Sequence, residues 1–198
     1  MELRSTFQSI IALHQEELPL MLNERETKLP VDGGRIVTVT VIRRCGKSSL
    51  LGLVMNRLIE NGVSRQQILC IGFDDERFLS ISVENLDEIL QAYREMFPNQ
   101  PLKDVYMFFD EIQLVEGWEL FVLRVYKTYC KNIYITGSTA KMLSEEMASA
   151  LRGWPDEYRE YPLSFNEYLS FRGINANRFT EEGRAILADS FRSYCKEA

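Results

Sequence analysis

Apolar residues in this chain collect in short dense runs, separated by longer stretches where they recur every three or four positions. The runs are 36–42, 67–73, 105–109 and 132–136. Such runs suit strands buried on both faces of a parallel sheet covered by helices. Between them the helical period predicts helices over 47–61, stopped by Gly62, over 83–97, broken by Pro98 to Pro101, and over 117–129. In the last of these Trp118, Phe121, Val122 and Val125 share one face, which suits Trp118 as a core anchor. Residues 4–24 read as an amphipathic helix carrying Phe7, Ile10, Ile11, Leu13, Leu18 and Leu22, with Pro19 placed to interrupt it. A polar loop over 25–34 with Pro30 and Gly33-Gly34 leads into the first run. Near the C-terminus, Glu157 to Tyr161 predicts a last strand and 180–196 a last helix. Between them, Ser164-Phe165-Asn166-Glu167 is a capping box at a helix start.

With 198 residues and 45% hydrophobic content, the chain can bury one substantial α/β core. Its net charge of −6 offers no global basic face of the kind a free-standing nucleic-acid binder carries. Cys45, Cys70, Cys130 and Cys195 have no C-x-x-C spacing, and His14 is the only histidine. Reduced thiols are therefore expected, and a histidine-rich metal site is not. Cys45 differs, because a loop facing phosphates would lower its pKa. There is no run of 18 apolar residues and no basic-then-apolar N-terminus, so the reading expects a soluble, cytoplasmic chain.

The chemistry begins where the first strand meets the first interior helix, at Cys45-Gly46-Lys47-Ser48-Ser49. A strand-to-helix turn exposes backbone N–H groups that favour an anion. Lysine and hydroxyl in this order suit phosphate binding by Lys47 and Mg²⁺ ligation by Ser48. The complete G-x-x-x-x-G-K-[ST] signature would need glycine where Val41 stands, a stiff β-branched residue. A later run, Val105 to Phe109, ends in Asp110-Glu111. Alone, an acidic pair can simply end a strand in a solvated loop. After Gly-Lys-Ser on an earlier strand it completes a P-loop NTPase pattern, in which Asp110 holds the metal and Glu111 is general base. The run 132–136 leads to Gly137-Ser138-Thr139, where Ser138, with Thr139 behind it, is a γ-phosphate sensor or a helix N-cap. Asp74-Asp75-Glu76-Arg77 reads either as a contact to substrate or metal, or as a solvated loop with a local ion pair.

The series resembles bacterial and archaeal AAA-type P-loop ATPases with an N-terminal ATPase core and a C-terminal domain of unknown function. It is carried by Arg43-Arg44-Cys45-Gly46-Lys47-Ser48-Ser49-Leu50, Phe73 to Phe78, Phe109-Asp110-Glu111-Ile112-Gln113 and Gly117-Trp118-Glu119. It continues through Ile135-Thr136-Gly137-Ser138, Ala150-Leu151-Arg152-Gly153 and Pro162 to Leu169. The resemblance implies a three-layer α/β sandwich around a parallel sheet of about five strands, of the added-strand, catalytic-glutamate branch. It implies Mg²⁺-dependent ATP hydrolysis, with Arg43, Arg44, Cys45, Gly46, Lys47, Ser48 and Ser49 on the nucleotide, Ser48 and Asp110 on the metal, and Glu111, Lys47 and Ser138 catalytic. Val41 and Trp154 depart from the family pattern, the second standing where an arginine is usual; Arg152 reads either as a substitute clamp or as a solvated surface residue.

The expected organisation is an N-terminal helix and loop over 1–30, an ATPase core over 31–172 and a helical extension over 173–198. Relatives are expected to continue further, so the chain reads as shortened. Alternative readings are a nucleotide-binding switch or scaffold with little hydrolysis, and the motor of a nucleic-acid-processing protein. A protein partner, an attached C-terminal domain or an oligomer all fit the resemblance, and no membrane is expected.

Overall fold

The computed structural model describes residues 3–41, 46–138, 151 and 153–197. Five strands form one sheet: β1 (Ile36–Val41), β2 (Ile68–Gly72), β3 (Tyr106–Asp110), β4 (Asn132–Ser138) and β5 (Pro155–Glu160). All pair in parallel, in the order β2-β3-β4-β1-β5. The α-helices are α1 (Leu3–Glu17), α2 (Lys47–Glu60), α3 (Asp87–Met96), α4 (Trp118–Thr128), α5 (Phe165–Phe171) and α6 (Glu181–Glu197).

Strand side chains alternate between two apolar layers, as a period of two requires. Ile36, Leu69, Ile71, Met107, Phe109, Ile133 and Ile135 face the layer shared with α1, α3 and α4. Val37, Val39, Ile68, Cys70, Phe108 and Tyr134 face the layer shared with α2. The result is a three-layer α/β sandwich, and both sheet faces are covered, which is why the central strands read as almost unbroken apolar runs. Phe7, Ile10 and Ile11 of α1 are buried in the first layer.

Local boundaries follow local chemistry. Helix α1 ends at Glu17, ahead of Pro19, whose ring and missing N–H oppose continuation. Helix α2 stops at Asn61, and Gly62 takes a left-handed φ of 87°. Ser64 and Ser164 each make a capping box, the second with Glu167. Strand β5 starts two residues before the predicted Glu157, because Pro155 already pairs with Ile36. Among the described residues no helix is long and apolar enough to cross a membrane.

Because every strand points the same way, all five carboxyl ends share one edge of the sheet. Strand β4 lies between β1 and β3, so their tips are about 10 Å apart, two strand spacings, with β4 between them. Crevices at the carboxyl ends of parallel strands are where ligands bind in open α/β sheets.

Candidate functional site

Four residues named from the sequence meet on that edge. Gly46 precedes α2 with φ 82° and ψ 35°, a conformation that costs glycine little and other residues more. Among the described residues no side chain caps the start of α2, and free N–H groups at a helix start favour an anion. From its first turn, Lys47 Nζ forms an ion pair with Glu111 Oε1. Ser48 Oγ donates a hydrogen bond to Asp110 Oδ2. The first turn of α2 and the acidic tip of β3 are thereby joined by two polar contacts. Ser49 sits in the same first turn of α2, with its side chain beside Gly46.

A buried hydroxyl spans the gap. Thr136 on β4 is fully buried; its Oγ1 donates to Asp110 Oδ1 and accepts from the Glu111 backbone N–H at 3.1 Å. Both lone oxygens of Asp110 are thus engaged by hydroxyls, one from α2 and one from β4. Glu111 adopts φ 53° and ψ 34°, the one positive φ among non-glycine residues described. Such a backbone costs about 1–3 kcal/mol and persists where surrounding contacts fix it. Here the Thr136 bond and the turn Ile112–Leu114 fix it. Replacing Thr136 with valine keeps the shape but orphans a buried N–H and strips a donor from Asp110. Urea unfolding should show a loss of about 1–3 kcal/mol; an unchanged midpoint would mean the two bonds carry no stability.

The remaining sequence candidates fall in three groups. Arg43, Arg44, Cys45, Thr139 and Arg152 lie outside the described residues. Ser138 is the last residue of β4 and pairs with Val41, the last residue of β1; its side chain lies outside what is described. Val41 itself is the last residue of β1, paired with both Ser138 and Glu160. The strand therefore extends through the position where a complete signature has glycine, and a β-branched residue suits an extended, paired site.

Trp154 lies elsewhere. Its carbonyl accepts from Ile36 N at 3.2 Å and its ring packs against Tyr126 with centroids 5.3 Å apart. Ile36 opens β1, so Trp154 sits at the amino edge of the sheet, about 16 Å along the strand from the carboxyl tips. An arginine at 154 would not reach phosphates held at this chain's own site, which removes the expected loss of a clamp there.

Beyond the Ser48–Asp110 contact lies a cleft of 440 Å³ walled by Leu13, Leu18 and Leu51 and rimmed by His14, Asp74 and Arg77. Arg77 pairs with Asp75 at 2.5 Å, and that guanidinium holds the Asp75 carboxyl down to about 2. The local ion pair read from the sequence is present. Cys70 at the floor and Cys130 in the opposite layer are buried free thiols whose pKa values burial pushes up, that of Cys130 to about 11. Neither is a nucleophile at neutral pH.

A second polar node lies beside Gly46. Arg25 is buried and donates to Glu167 Oε1 at 2.7 Å, to Glu160 and to the Tyr161 carbonyl at 3.0 Å. Its Nη1 lies 3.3 Å from where a Cβ on Gly46 would be. Sequence reading placed Arg25 in a plain polar loop and gave Thr136 and Gln113 no role. The partners of Arg25 and Thr136 lie far off along the chain; Thr136 and Gln113 did carry a signal, as part of the Ile135-Thr136-Gly137-Ser138 and Asp110-Glu111-Ile112-Gln113 series, but no role was read from it.

Residues 33–169 match the family AAA_14, described as AAA domain. Uncharacterized protein MJ1544 of Methanocaldococcus jannaschii is 32% identical over 173 residues, which cover 87% of this chain and 37% of that protein. An uncharacterized protein of Haemophilus influenzae is 36% identical over 141 residues, 71% of this chain and 34% of that protein. The chain thus spans about a third of the length of the curated relatives it matches. AMPPCP-bound DnaA from Aquifex aeolicus aligns over 86% of this chain and 52% of that one, with TM-score 0.45 and 16% identity. The family match covers more than half of the sequence, and this chain belongs to the AAA domain family, with the nucleotide-binding, ATPase-like character of P-loop proteins.

Proposed function

We propose that this protein binds ATP with Mg²⁺ and hydrolyses it to ADP and phosphate. The observation that carries the reading is the convergence of Lys47, Ser48, Asp110 and Glu111 on one edge of the sheet. The donor set fits the metal: the Ser48 hydroxyl and the Asp110 carboxylate are hard oxygens already in contact, and Mg²⁺ prefers oxygen ligands with phosphate completing the shell. When bound, the metal would neutralise charge on the phosphates, a role for which Ser48 and Asp110 are the candidate ligands.

In this reading Lys47 exchanges its Glu111 partner for phosphate oxygens, and the N–H groups at the start of α2 bind the same anion. Residues 43 to 46 and Ser49 complete the cradle. Glu111, released from Lys47, accepts a proton from the attacking water as its oxygen bonds to the γ-phosphorus and the bond to the β-phosphate oxygen breaks. Thr136 holds both acids in place, and Ser138, one strand over, senses the γ-phosphate. A conformational output to an attached domain or partner, in the cytoplasm, completes the proposal. A slowly hydrolysing switch is the second reading, favoured by the Lys47–Glu111 pair, which competes with nucleotide for the lysine.

Calorimetric titration of Mg-ATP and Mg-GTP against wild type and Lys47→Ala tests the binding step. Loss of one charged donor should weaken Mg-ATP about 10- to 100-fold. Equal affinity for the two proteins would remove Lys47 from the site. Phosphate release by wild type then separates the enzyme from the switch.

A further inference from the structure

Gln113 is buried on the turn Ile112–Leu114 that follows Glu111. Its Nε2 donates to Glu111 Oε2. Its own amide oxygen, Oε1, is buried with no hydrogen-bond partner among the described residues. A buried acceptor without a donor costs stability, whereas an apolar side chain of similar volume, such as methionine, would fill the space without that cost. Packing therefore does not account for an amide here. The bond to Glu111 does.

The two oxygens of the Glu111 carboxylate are held by different partners. Oε1 is on Lys47, a cation that an incoming phosphate draws away. Oε2 is on Gln113, an uncharged donor that phosphate competes for far less. Rotation of the carboxylate would exchange the two oxygens.

We infer that Gln113 is a positioning residue: by holding Oε2 it selects Oε1 of Glu111 as the oxygen that takes the proton from water once Lys47 has moved to the nucleotide. The inference rests on the hydrolytic reading above. Gln113 touches no substrate in this scheme and acts only through Glu111.

The test compares wild type, Gln113→Met, Gln113→Glu and Glu111→Gln for Mg-ATP affinity and turnover, with thermal melting to establish folding. Methionine preserves the packing and removes the donor; glutamate preserves the size and sets an acceptor against Oε2. Both should lower kcat about 100-fold, the scale of a misplaced reacting group, and leave the Kd for Mg-ATP within about twofold of wild type. Melting should change little for Gln113→Met. Wild-type turnover in Gln113→Met would overturn the positioning role alone, since a space-filling role is what methionine retains. Parallel losses of affinity and kcat would overturn it too, because they mark a collapsed site. If Gln113→Met does not fold, Gln113→Glu decides by the same two readouts. A wild type indistinguishable from Glu111→Gln would bring down the hydrolytic reading, and this inference with it.

Discussion

Glu111→Gln should lower ATP turnover by about 10²- to 10⁴-fold, the usual contribution of a general base, and should at the same time tighten Mg-ATP binding. The first effect follows from losing the only carboxylate that contacts Lys47 in the described structure. The second follows from the same contact. Lys47 is tied to Glu111, so a phosphate that takes up the lysine has to break an ion pair. Glutamine keeps the size, holds the lysine less strongly and leaves it free for the ligand. Phosphate release and calorimetry on one preparation measure both effects. A variant that loses turnover and affinity together would show that Glu111 supports the fold of the site rather than competing for its lysine.

Arg25→Met should be the most damaging single change to stability. The guanidinium is enclosed with two carboxylates, and its side chain is 5% exposed against 3% for Glu160 and 7% for Glu167. Removing one partner of a buried ionic group leaves charge without compensation and costs about 3–5 kcal/mol. For a domain of this size that corresponds to a fall in Tm of roughly 6–20 °C.

The sign of the pH dependence follows from Glu167. Burial pushes its carboxyl up, but the hydrogen bond from Arg25 and those from the Glu26 and Ser164 N–H groups outweigh burial and hold it below the ordinary value. A depressed carboxyl stabilises the native state above its unfolded pKa, near 4.3, and loses that contribution as pH falls through the native value. In the variant the carboxylates lose their cation and are the costly groups, so acid relieves them. The gap in Tm between wild type and Arg25→Met should therefore narrow from pH 7 to pH 4. A gap that stays constant would mean the deficit is lost packing, not unpaired charge.

Much of the architecture was legible because buried parallel strands leave a plain trace. Val105 to Phe109 is apolar at every position since both of its faces are covered, and 36–41, 68–72 and 132–138 are nearly so. Strand β5 was harder to read. Pro155 to Glu160 is mostly polar, half open to solvent and held at the edge by its ladder with β1, so its start could not be set from hydrophobicity. The order of Gly-Lys-Ser and Asp-Glu placed both halves of the site on carboxyl strand tips. What joins the halves was not legible. A threonine inside a strand is ordinary: Thr136 stood in the Ile135 to Ser138 series without a role of its own, and Thr38 and Thr40 are buried on the neighbouring strand in the same way. Arg25 finds partners 135 and 142 residues away, a separation over which pattern carries no information. Ser138 attracted notice because it ends a strand, whereas the hydroxyl that meets both acids is two residues earlier.

The ladder between β3 and β4, with Tyr106 opposite Asn132 and Phe109 opposite Ile135, has a consequence for how errors in folding would show themselves. A sheet that zipped up one residue out of step would turn the hydroxyl of Thr136 to the wrong side. Asp110 and Glu111 would then lose their common tether in the same event that spoils the oily interior. Alignment of one strand pair thus acts as an inspection gate: a misassembled molecule loses the tether of its two acids together with its packing.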